Sequence, residues 1–129
     1  MAQVIVDTSA WVDFFRSRNT EDRTIVRRLI RSGEAVVVGV VYAELLRGVR
    51  TESEARNLEA DLDGLPFLDS DRESWRRTRR LMAELQIQGS SIPFQDAAIA
   101  AIALQNNLPV LTRDQHFSRV NGIRLQPFD

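Results

Sequence analysis

Three β-branched residues in a row, Val4-Ile5-Val6, stand near the start of the chain with no polar residue between them. A strand with one wet face alternates apolar and polar side chains, so an unbroken run predicts a strand covered on both faces, as in a parallel sheet flanked by helices. Ala35–Val38 repeats the pattern, as do residues 65–68 and 109–111, with residues 123–125 a weaker fifth candidate. Helical patterns with readable starts lie between these runs. Thr51-Glu52-Ser53-Glu54 and Ser70-Asp71-Arg72-Glu73 each fit a capping box, in which cap hydroxyl and glutamate satisfy each other's backbone donors. Trp75, Thr78, Met82 and Leu85 recur at helical spacing and predict one buried stripe. Pro93 suits a first helical position ahead of Phe94–Asn106, and Asn106-Asn107 a stop. Strands separated by one or two helices imply right-handed crossovers. The predicted architecture is a three-layer α/β/α sandwich around a mainly parallel sheet of four to five strands. With 129 residues and no Gly/Pro/Ser-rich linker, residues 1–129 read as a single domain.

Composition removes most catalytic chemistries. The chain has no cysteine, a single histidine (His116), and all 17 of its basic residues are arginine. Disulfides, iron–sulfur clusters, thiolate zinc sites, multi-histidine metal sites, a P-loop lysine and Schiff-base chemistry are excluded. A net charge of −1 argues against an indiscriminate nucleic-acid coat, so any footprint must be local. Carboxylates, hydroxyls and arginines remain. Residues 1–10 lack the basic start of a signal peptide, and the apolar stretch at 97–104 is too short to cross a bilayer, so a cytoplasmic protein is expected.

In parallel α/β sheets, ligands bind beyond the carboxyl ends of the strands, where strand order reverses. Four acids fall near that edge. Asp7 follows Val4-Ile5-Val6 directly; Glu44 sits inside the apolar run Val40-Val41-Tyr42-Ala43-Glu44-Leu45-Leu46; Asp96 lies in the first turns of a helix apolar nearly all round; Asp114 comes three residues after Leu111. Each except Glu44 has an ordinary alternative. Asp7 also fits an N-cap of a helix beginning near Ser9, Asp96 a first-turn acid facing the helix dipole, and Asp114 a turn residue. Glu44 would need an arginine such as Arg47 to reach into an apolar setting. Four converging acids would repel one another without a cation. Oxygen ligands select hard ions such as Mg²⁺ or Mn²⁺, which acidify a bound water and neutralise charge developing on a phosphate. Thr112 is placed to orient such a water or phosphate, Ser9 reads as a helix cap, and His116 as a surface or helix-start residue. Arg76, Arg77, Arg79 and Arg80 cluster on one predicted helix and Arg27, Arg28 and Arg31 on another. They form either a solvated face paired with Glu73 and Glu84 or a phosphate-contacting surface.

VIVDTSAWVDFFR, VVYAELLRG, IPFQDAAIAAIA and LPVLTRDQHF, in this order and spacing, resemble the PIN-domain ribonucleases, and among them the VapC toxins of VapBC toxin–antitoxin systems. The resemblance spans essentially the whole chain. It puts the family's acids on Asp7, Glu44, Asp96 and Asp114 and its hydroxyl on Thr112, with no departure at the acidic positions. It implies a PIN-like fold and a Mg²⁺- or Mn²⁺-dependent endoribonuclease that inhibits translation by cutting structured RNA such as tRNA or rRNA. Asp7 and Asp96 would bind metal directly, and Glu44 and Asp114 would complete the cluster. It further implies a VapB-type antitoxin as partner and a homodimer, for which residues 27–30 and 44–49 are candidate contacts. The alternative of another class is a PIN-fold module that binds RNA or its antitoxin without cutting. Intact acids argue against it.

Overall fold

Every residue of the first two strands is buried, including Ile5 and Val36 at 0% exposure, so both faces of the sheet are covered. The computed structural model describes residues 2–16 and 20–128. In chain order it contains β1 (Val4–Val6), α1 (Thr8–Arg16), α2 (Thr20–Arg31), β2 (Ala35–Val38), α3 (Gly39–Arg47), α4 (Glu52–Asp63), β3 (Phe67–Leu68), α5 (Arg72–Ile87), α6 (Phe94–Asn106) and β4 (Val110–Leu111). A short 3₁₀ turn, Gln115–Arg119, follows.

The four strands are parallel in the order β3-β2-β1-β4, with Val4 opposite Ala35, Ile5 opposite Val110 and Val37 opposite Phe67. The first two crossovers step one way along the sheet and the third steps back past β1. Right-handed connections therefore place α1–α4 on one face and α5 and α6 on the other. The reversal falls between β1 and β4, and that is where a crevice opens at the carboxyl edge. Among the described residues, no helix is long and apolar enough to cross a membrane.

Several predicted boundaries shift for local reasons. Prolines trim two strands: Pro66 and Pro109 lack an N–H and contribute only carbonyls, to Val37 and Ile5, so β3 and β4 each begin at the residue after the proline, two residues and one residue later than expected. Residues 123–125 supply a single parallel bridge, Val110 to Leu125, rather than a fifth strand. Thr51 caps α4 as expected, its hydroxyl accepting from Glu54 N–H, although the Glu54 carboxylate takes Arg50 N–H instead of completing the box. The α5 box is displaced by one residue: Asp71, not Ser70, is the cap, and its reciprocal partner is Ser74. That register turns Ser74, Thr78 and Leu85 inward and leaves Trp75 43% exposed, stacked on Phe94 rather than in the buried stripe. Pro93 precedes α6 as its cap residue, and α6 ends as expected at Asn107, held in the left-handed region at φ 53°. Asparagine tolerates that conformation better than most residues.

Candidate metal centre

Asp7 leaves β1 at its carboxyl end and is 3% exposed. Its carbonyl accepts the N–H groups of Ala10 and Trp11, so the residue does start α1. Its carboxylate is used otherwise: Oδ2 accepts from the Ser9 hydroxyl at 2.8 Å and from the Thr112 hydroxyl at 2.7 Å. Ser9 is therefore not the helix cap read from the sequence. It lies one residue inside α1, and its oxygen accepts the Arg113 N–H at 2.9 Å. Thr112 Oγ1 in turn accepts the Asp114 N–H at 2.9 Å. These contacts join the ends of β1 and β4 across the switch point.

Glu44 projects from α3, which starts directly after β2. Its Oε1 accepts from the Thr8 hydroxyl at 3.0 Å, so it reaches the cluster through the neighbour of Asp7 and not through an arginine. A mostly apolar cavity of about 340 Å³ adjoins it, lined by Thr8, Val12, Phe15, Leu45 and Leu58.

Asp96, in the first turn of α6, is 9% exposed. Burial pushes its carboxyl up to about 6; a hydrogen bond from His116 opposes the shift, while the Asp114 and Asp7 charges add to it. Asp114 caps the 3₁₀ turn through Oδ1, which accepts the His116 N–H at 2.9 Å. It is thus a turn residue and a member of the cluster at once. His116, expected as a surface or helix-start residue, does stand in the first turn of the 3₁₀ segment with its side chain 36% exposed, yet it also meets the acids: its Nδ1 lies 2.8 Å from Asp96 Oδ2 and 2.8 Å from Asp114 Oδ1.

Among the described residues, each of the four acids thus has one oxygen held by a protein donor. The held atoms are Asp7 Oδ2, Glu44 Oε1, Asp96 Oδ2 and Asp114 Oδ1. Among the described residues, the second oxygen of each has no hydrogen bond. Carboxylates held at one oxygen and open at the other, with mutual repulsion that already raises one of them, fit a hard divalent cation. Among the described residues, Asp96, Asp114 and His116 form the one group whose ligand atoms lie within 4.8 Å of one another; Asp7 and Glu44 fall outside it.

The α5 arginines have a different setting. Arg76, Arg77 and Arg80 lie 3.7, 3.7 and 3.0 Å from Glu73. Arg77 and Arg80 line a polar cavity of about 310 Å³ with Glu84 and Arg119, while Arg79 faces a second one beside Trp75 and Phe94. Arg113, not singled out in the sequence, ion-pairs with Asp13 at 3.1 Å and lies over the Phe128 ring at 3.5 Å. Its position next to Thr112 was the available signal.

The sequence profile of the PIN domain matches residues 4–123. Ribonuclease VapC11 of Mycobacterium tuberculosis is 28% identical over 133 residues, covering 97% of this chain and 98% of that protein. The VapBC complex of Salmonella typhimurium, solved bound to DNA, superposes with a TM-score of 0.83 at 24% identity, covering 100% of both chains. VapBC-5 of M. tuberculosis, described as a member of the VapBC family of toxin–antitoxin systems, superposes with a TM-score of 0.65 at 25% identity. There the match covers 97% of this chain and 100% of that one. With a profile match over most of its length, and the acids gathered where the sheet reverses, the chain belongs to the PIN-domain family.

Proposed function

We propose that this chain is the toxin of a type II toxin–antitoxin system, an endoribonuclease that depends on a divalent ion, Mg²⁺ or Mn²⁺, and is neutralised by a VapB-type antitoxin. The observation that carries the reading is the set of four carboxylates, each held at one oxygen and open at the other, around a switch-point crevice. The names of the relatives supply the rest: a ribonuclease for VapC11, and membership of a family of toxin–antitoxin systems for VapBC-5. Structured RNA, tRNA or rRNA, is the substrate class proposed.

Asp7 and Asp96 would hold the ion through their open oxygens, with Glu44 and Asp114 completing its surroundings. When bound, a divalent ion supplies positive charge at a scissile phosphate and acidifies a nearby water. Thr112 and Ser9 fix the orientation of Asp7, and Thr8 that of Glu44. Arg76, Arg77, Arg79 and Arg80 are proposed as RNA-backbone contacts, for which α5 would have to release them in part from Glu73. Leaving-group protonation falls to solvent.

The test is RNA cleavage by the purified, antitoxin-free chain, with Mg²⁺, Mn²⁺ or chelator, and with Asp96→Asn beside it. Discrete fragments that require the ion and vanish in the variant support the reading. Cleavage at the parent rate by Asp96→Asn would overturn the site. Tight RNA binding without cleavage would instead identify a binding module.

A further inference from the structure

We propose that His116 is a positioning residue of the acid centre, acting on Asp96 and Asp114 together and not on substrate. This inference rests on the metal-centre reading above.

The geometry fixes what the ring does. Nδ1 is 2.8 Å from a carboxylate oxygen of Asp96 and 2.8 Å from one of Asp114. With Asp96 ionised, the nitrogen carries the hydrogen of the Asp96 contact. The two acids arrive on different elements, Asp96 on the first turn of α6 and Asp114 just beyond β4, so nothing local in the chain sets their separation. His116 does so twice over. Its main-chain N–H holds Asp114 Oδ1 at 2.9 Å, and its ring nitrogen is hydrogen-bonded to Asp96 Oδ2 at 2.8 Å while lying 2.8 Å from the Asp114 oxygen.

For Asp96 the dependence is complete: among the described residues, His116 is the sole hydrogen-bond partner of that carboxylate. Removing the ring leaves a nearly buried acid with no donor, free to rotate away from Asp114. The role also matches how the rest of the centre is built. Ser9 and Thr112 hold Asp7, and Thr8 holds Glu44, each through one oxygen, leaving the other for an ion. His116 does for two acids what those hydroxyls do for one each. Groups that orient metal-binding carboxylates in this way commonly govern affinity although they never touch the ion. The alternative is that Nδ1 itself is a ligand, which would require the ion to displace the hydrogen shared with Asp96.

The test is Mn²⁺ binding to the full chain by calorimetry, comparing the parent with His116→Phe and His116→Asn. Metal-free melting curves are recorded for each. The Asn amide sets an N–H close to where Nδ1 stands, whereas Phe keeps the ring and loses the donor. Expected is a loss of Mn²⁺ affinity of about 10- to 100-fold in His116→Phe, with most of it regained in His116→Asn. Parent-like affinity in His116→Phe would overturn the role, as would equal losses in the two variants. Should the Phe variant not fold, the Asn variant and a spin-echo spectrum of the Mn²⁺-loaded parent still decide. A directly bound nitrogen there makes His116 a ligand and overturns positioning; its absence supports it. Failure of the parent itself to bind Mn²⁺ or Mg²⁺ overturns the metal-centre reading, and His116's role with it, and is distinguishable from a failure confined to the variants.

Discussion

The Thr112 hydroxyl donates to Asp7 Oδ2 at 2.7 Å while its own oxygen, Oγ1, accepts the Asp114 N–H at 2.9 Å, so one side chain ties the ends of β1 and β4 to each other. Thr112→Val keeps the shape and removes both contacts. Hydrogen bonds to a charged group contribute about 1.5–3 kcal/mol, so the variant should be destabilised by about 2 kcal/mol and should lose most of its cleavage. Thr112→Ser should retain both. Urea unfolding and an RNA cleavage assay on the pair check this; a Val variant indistinguishable from the parent in both would refute the link.

Asp96 carries a pH signature. Its carboxyl is raised from 3.8 to about 6 in the folded chain, chiefly by burial. Between those pH values the folded state keeps a proton that the unfolded chain has released. The stability this group contributes is therefore whole below pH 3.8 and lost as the pH rises through about 6. A shift of roughly two units is worth about 3 kcal/mol at ~1.4 kcal/mol per unit. Asp96→Asn does not titrate, so in chelator its melting temperature should overtake that of the parent as the pH is raised from about 5 to 7.5. A gap between the two that does not change with pH would contradict the assignment.

The same repulsion predicts stabilisation by the ion. A ligand at 100 times its dissociation constant stabilises the folded state by about 2.7 kcal/mol. In a chain of this size that corresponds to a rise in melting temperature of about 5–10 °C. Mn²⁺ should produce it in the parent and not in Asp7→Asn/Asp96→Asn. An equal rise in both would place the ion elsewhere.

Asp7 and Glu44 were legible in the sequence because a charge at the end of, or within, an apolar run is anomalous where it stands. Asp96 was legible for the same reason, in a helix that is buried from Ala97 to Ala103. Their supporting groups were not. Ser9 meets Thr112 from 103 residues away and His116 meets Asp96 from 20, separations that no local pattern encodes. A serine near a helix start is ordinarily a cap, and a lone histidine ordinarily a surface residue; only the strand order β2-β1-β4 overrides both. On α5 the spacing put Trp75 in the buried stripe with Thr78 and Leu85; Thr78 goes inward as expected, donating to the Ser74 carbonyl, but Ser74 takes the place of Trp75 because it finds partners in Asp71 and Gln105. The arginine cluster was visible as composition, but its sharing of Glu73 depends on which helix face each residue occupies.

Glu44 stands apart from the other three acids in lining an apolar cavity with α1, where, among the described residues, the Thr8 hydroxyl at 3.0 Å is its one hydrogen-bond partner. It is half-buried, so losing that hydroxyl exposes the carboxylate to water rather than stranding it. Thr8→Val should therefore cost less than about 1 kcal/mol of stability. Its effect on cleavage should be larger than on folding, because a released Glu44 is free to turn away from Thr8, the neighbour of Asp7. A fall of about tenfold is expected, the lower end for loss of a group that orients a metal-binding carboxylate. Thr8→Ser, which keeps the hydroxyl, should cut at close to the parent rate. Measuring cleavage and urea midpoints for both variants separates orientation from folding: equal rates in Val and Ser would leave Glu44 outside the reactive centre.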